Sequence, residues 1–115
     1  MSKPVLLAAE NHVLLAYARK TGQQFVLATD RLAQAKEFGL YVVFGKDTLG
    51  GSIVIETAHD QGYDGAWHKL AQPKWTAADH GVYVGLKGPF LALRVRVTDD
   101  VVGSGAIFVY GCAQE

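Results

Sequence analysis

Three features of this 115-residue sequence predict an all-β protein, an antiparallel β-sandwich of jelly-roll or Ig-like type. The first is "FLALRVRVTDD" at 90–100, where Leu91, Leu93, Val95 and Val97 alternate with Ala92, Arg94, Arg96 and Thr98. Only a period of two explains that spacing, because successive side chains of a strand point to opposite faces. The second is punctuation. "TLGG", "DQGYDG", "LKGP" and "DDVVGSG" carry Gly, Pro or Asp where tight reversals need them, at roughly the 8–12-residue spacing of a sandwich or barrel. The third is the absence of any helical period from Phe38 onward.

Taken in order, the first 37 residues read two ways. As a helix, "AENHVLLAYARKTG" places Val13, Leu14, Tyr17 and Ala18 on one face, with Gly22 as its cap. As strands, "HVLLAYA" and "FVLAT" flank a turn at "RKTGQ", and the "TG" favours this second reading. Residues 1–37 are then an N-terminal arm or a first hairpin. "TDRLAQAKEFG" is a loop with one helical turn over Arg31 to Glu37 behind an Asp30 cap.

Residues 38–115 form the sandwich core of what is a single domain. "FGLYVVFGKD" is an aromatic and β-branched strand ending at Gly45. "GGSIVIETA" sets Ile53, Ile55 and Thr57 against Ser52, Val54 and Glu56, and "GAWHKLA" follows a turn. "GVYVGLKG" groups Val82, Val84 and Leu86 and sends Tyr83 and Lys87 to the other face. In "GAIFVYGC" Ile107 and Val109 oppose Phe108 and Tyr110.

Composition narrows the partners. Half the residues are hydrophobic and 19% are charged, which suits a folded domain with its own core. Eleven basic residues balance eleven acidic ones, so no excess charge recruits nucleic acid or an anionic membrane. That neutrality also eases association between copies. The single cysteine, Cys112, forms no intrachain disulfide and reads as a small apolar residue of the last strand. No apolar run approaches the roughly 18 residues of a membrane span. Glu10 and Asn11 interrupt the first apolar stretch too early for a secretory signal, so synthesis and folding in a cytoplasm are expected.

The most chemistry-rich stretch is "ETAHDQGYDGAWHKL" at 56–70. Asp60 and Asp64 miss the spacing of a calcium loop, and His59 and His68 lack a third zinc ligand. The stretch reads as a turn, with Trp67 plugging the core just after it. Asp79 beside His80 resembles half a catalytic pair, but neighbours on an extended chain face opposite ways, so neither orients the other. "GKDTLGG" lacks phosphate-loop spacing, and "GSG" at 103–105 reads as turn filler. No catalytic residue, cofactor or metal is expected. Two groups remain as a candidate interface. Lys87, Arg94 and Arg96 would share one face of neighbouring strands if the chain turned back at "KGPF", although such a stripe is more often the wet face of a half-buried strand. Tyr63, Trp75, Tyr83 and Tyr110 are exposed aromatics of the kind that anchor an interface or stack on sugars.

The order of these features resembles a family of small β-sandwich virion proteins of tailed bacteriophages, of head decoration or Ig-like accessory type. The likeness rests on "LLAAENH" at 6–12, "YVVFGKDTLGGSIVIETAHDQGYDGAWHKL" at 41–70 and "FLALRVRVTDD" at 90–100. The family's usual "S-x-D-G-G-T-T-W" turn stands here as the longer "AHDQGYDGAWHKL". The resemblance implies a virion structural protein on the capsid surface, a homotrimer bound to the major capsid protein, with its N-terminal segment reaching the lattice or a neighbouring protomer. The alternatives are a tail or baseplate Ig-like module and a carbohydrate-binding sandwich.

Overall fold

The structure, a computed structural model, describes residues 12–27, 36–59, 67–88, 90 and 92–114. They form eight strands: β1 (His12–Ala18), β2 (Gln24–Leu27), β3 (Glu37–Phe44), β4 (Thr48–Ala58), β5 (His68–Ala71), β6 (Gly81–Lys87), β7 (Ala92–Gly103) and β8 (Ile107–Gln114). The first sheet runs β1-β8-β3-β6 and the second β2-β7-β4-β5, with every pairing antiparallel. First pairs with last, second with seventh, third with sixth and fourth with fifth. That nested pairing is the jelly roll, and the Ig-like alternative does not have it. Among the described residues there is no helix.

The N-terminal region holds strands, as the "TG" turn indicates, but β1 and β2 do not pair with each other. They enter different sheets, so the expected first hairpin is instead a corner joining the two layers. A turn signal fixes a reversal of the chain, not the sheet that the next strand enters. The same holds at "KGPF": β6 ends in the first sheet and β7 begins in the second. Of the arm or first hairpin expected at 1–37, residues 1–11 and 28–35, with most of the helical turn expected at 31–37, lie outside the described residues, while Glu37 itself opens β3.

Period-two alternation builds the interior. Phe38, Leu40, Val42 and Phe44 of β3 and Ile107 and Val109 of β8 face Ile53 and Ile55 of β4 and Leu93, Val95 and Val97 of β7. Each of these larger side chains, once withdrawn from water, contributes about 1.5–3 kcal/mol of transfer free energy.

One end of the sandwich is fastened across both layers. Arg19, just past β1, donates from Nη2 to the Gly103 carbonyl at 2.8 Å and from Nη1 to that of Gly105. Its own carbonyl accepts from the Val101 N–H at 2.8 Å. A Cβ at Gly105 would run into Thr48 Oγ1 and the Lys46 carbonyl, so the β7–β8 turn nests against the β3–β4 turn only because that position is bare.

The two tryptophans exchange their expected places, and a bulge explains why. Glu56 pairs with Lys69 but Ile55 pairs with Ala71, so Leu70 is an extra residue on β5. An inserted residue flips the face of everything beyond it. Ahead of the bulge, Trp67 sits on the outer side, with the Arg94 guanidinium 4.3 Å from its ring centroid. Beyond it, Ala71 and Trp75 pack on the core. The stretch after β5 stays alongside β4: the Ile53 N–H donates to the Pro73 carbonyl at 3.0 Å and the Trp75 N–H to that of Gly51 at 2.9 Å. Trp75 is therefore core filling and not an exposed platform.

Candidate docking face

The same alternation that buries one side of the first sheet turns an aromatic side to solvent. On β3 the outward residues are Glu37, Gly39, Tyr41 and Val43. Tyr83 and Lys87 point the same way on β6, and Phe108, Tyr110 and Cys112 do so on β8. The register aligns them in rows across the strands. Tyr83 lies opposite Tyr41, Tyr41 opposite Tyr110, and Tyr110 opposite Val13 of β1. A second row carries Val43 and Phe108, and the Tyr17 ring meets Phe108 edge-on with centroids 4.9 Å apart.

Hydrogen-bond parity sets the spacing within the tyrosine row. The Phe44 N–H donates to the His80 carbonyl at 2.8 Å, so every second pair from there along β3 and β6 is hydrogen-bonded. Tyr41 and Tyr83 thus form a non-hydrogen-bonded pair, the closer kind, and their rings touch with centroids 4.8 Å apart and planes at 52°. The Tyr83 ring lies across two glycines. Its Oη is 2.8 Å from where a Gly39 Cβ would stand, and its Cε2 is 3.3 Å from the corresponding point at Gly85. The ring covers bare backbone and remains 59% exposed. Tyr41 and Tyr17 are also exposed, at 44% and 75%. Among the described residues of β3, β6 and β8, only Glu37 and Lys87, opposite each other at one margin, bring charge to this side.

The outer side of the second sheet is built differently. Glu56 Oε1 accepts from Arg94 Nε at 2.9 Å and Nη2 at 2.7 Å, and from Arg96 Nε and Nη2 at 3.4 Å each. The carboxylate is nearly buried, and its side chain retains 10% exposure. Arg94 is covered in turn by Trp67. Further along, Ser52 Oγ donates to Asp99 Oδ2 at 2.5 Å and lies 2.6 Å from Thr98 Oγ1. These polar groups satisfy one another within the chain.

The seven residues singled out from sequence therefore do not form one surface. Tyr83 lies on the aromatic side, with Lys87 at its margin. Arg94 and Arg96 lie on the opposite sheet, bound to Glu56. Trp75 packs partly buried against the core, and Tyr63 lies outside the described residues. Tyr110 holds its place in the row, while Tyr41, Tyr17 and Phe108 are the members that sequence reasoning missed. Tyr41 and Phe108 were visible as outward positions of strands already assigned. What was lacking was the pairing order that brings them together. His68, Asp79 and His80 are exposed, and the Asp79 N–H donates to Thr76 Oγ1 at 3.0 Å. Among the described residues no group of three or more His, Cys, Asp or Glu side chains converges.

Fold and surface together define a jelly-roll sandwich with one aromatic, nearly uncharged outer face. No protein-family model matches the sequence, and no curated protein matches it.

Proposed function

We propose that this protein is a bacteriophage virion structural protein, a head decoration protein that binds and stabilises the capsid lattice through the outer face of its first sheet. The observation that carries the reading is the Tyr83–Tyr41–Tyr110 row, an aromatic strip in which Tyr83 and Tyr41 are exposed, on an otherwise neutral sandwich. Aromatic side chains offer large contact area at low entropic cost and anchor interfaces. The jelly roll is also an architecture of viral capsid and lectin domains, a likeness of fold alone.

Four strands of this length present about 400 Å² on one face, against about 800 Å² per partner in a stable complex. Each copy would therefore hold weakly. Binding at many equivalent lattice positions would make the shell stiffer through avidity, and contacts that bridge neighbouring capsid subunits would oppose internal pressure. The partner in this reading is the major capsid protein, and the binding unit is a homo-oligomer.

Purified protein mixed with bare expanded heads should bind stoichiometrically, and a Tyr41→Ala/Tyr83→Ala double variant should lose that binding. Absence of binding at any salt concentration would sink the proposal. A carbohydrate-binding role is the second reading, favoured by the Tyr83 ring laid flat over Gly39 and Gly85 with its face to solvent. A glycan array with no signal disposes of it.

A further inference from the structure

We infer that strand β6 is a self-pairing edge, through which two copies join their first sheets into one eight-stranded sheet about a twofold axis at Tyr83. Ladder parity directs the open groups. His80, Val82, Val84 and Leu86 aim their N–H and C=O groups at β3, so Gly81, Tyr83, Gly85 and Lys87 aim theirs off the sheet. Among the described residues no strand takes them up.

The other edges are blunted in recognised ways. β1 carries two register shifts and a positive φ of 53° at Tyr17, and β2 and β5 are four residues each. β6 pairs with β3 at seven successive positions without a shift. It contains no proline, and its only charge is Lys87 at the end. A long, regular, unprotected edge is a template for another strand.

Two independent features select the same antiparallel register. Centring the axis on Tyr83 places Asp79 of each copy opposite the partner's Lys87, forming two complementary charge pairs. It also places Gly81 opposite the partner's Gly85, so no outward side chain obstructs the approach. In that register each Tyr83 lies beside the partner's Tyr83, and the tyrosine row continues without a break across both copies. Six tyrosines then line about 24 Å at the ordinary strand spacing. The doubled face approaches the area per partner of a standard interface. The docking consequence rests on the proposed function, whereas self-association does not. The edge chemistry favours this pair over the trimer implied by the resemblance.

Light scattering on the intact chain should show a mass rising with concentration from 12.4 kDa towards twice that value. Gly85→Pro should hold the protein monomeric with an unchanged circular dichroism spectrum, because the N–H it removes points off the sheet. Lys87→Asp should weaken the dimer, and Asp79→Lys combined with Lys87→Asp should restore it, which keeps the test decisive even if the proline variant misfolds. A monomer at every concentration, a trimer, or a dimer insensitive to both the proline and the charge reversal would overturn the inference. These measurements need no heads, so they stand or fall separately from the docking proposal.

Discussion

The two outer faces of this sandwich are built by the same rule and end in opposite states. On the second sheet, outward residues find partners in their own chain: Glu56 collects two arginines, Trp67 covers Arg94, and Ser52 binds Asp99. On the first sheet most outward residues are aromatic or apolar, and Tyr17, Tyr41, Val43 and Tyr83 remain exposed. A face whose polar groups are mutually satisfied serves stability. In the proposed function a face of exposed rings is the one that meets a partner, since isolated exposed apolar residues are ordinary but a continuous strip is not.

Substitutions should separate the two. The largest loss of stability is expected from Glu56→Ala, which leaves two guanidinium groups half-buried without their shared carboxylate. Urea unfolding should show a fall of about 2–3 kcal/mol, below the fully buried case because both arginines retain some solvent. Arg94→Lys should cost about 1 kcal/mol, since an ammonium keeps the charge but loses the forked contact and much of the stacking on Trp67. Tyr41→Ala should reverse this balance, with a stability change of about 1 kcal/mol or less and a clear loss of head binding. Gly39→Ala is a finer probe. Its methyl group displaces the Tyr83 ring, so ring-proton shifts should move while stability stays within about 0.5 kcal/mol.

The smallest effect concerns Asp100, at the corner between the layers. The Thr21 N–H at 2.7 Å, then the Thr21 hydroxyl at 2.8 Å, hold its carboxyl below the ordinary value, with a smaller contribution from Lys20, against slight desolvation. A depressed folded-state pKa contributes stability that is complete above the unfolded value and is lost as pH falls through the folded one. Asp100→Asn should therefore slightly lower the melting temperature at neutral pH and flatten the acid limb of the thermal-melt profile, so that the two proteins converge at low pH.

The fold class was readable because alternation is a local property. Leu93, Val95 and Val97 point inward and Arg94 and Arg96 outward, as their spacing requires. What escaped reading is non-local. The extra residue Leu70 is invisible to a period of two, and it alone sends Trp67 and Trp75 to opposite sides. The aromatic strip escaped for a related reason. Tyr41, Tyr83 and Tyr110 come from three separate segments, and only the β8-β3-β6 order makes them neighbours. Arg94 and Arg96 read as a basic stripe because Glu56, 38 and 40 positions away, is the partner that neutralises them.

The nesting of first strand with last has a consequence for the order of events at the ribosome. The closure entropy of a loop grows with its length, so the inner pair β4–β5 can zip early and the outermost pair must come last. His12 meets Gly111, and at ordinary elongation rates about 5–20 s separate their synthesis. Throughout that interval the valine and leucines of β1 have no strand to join, which makes the nascent chain a natural client for a chaperone until β8 emerges.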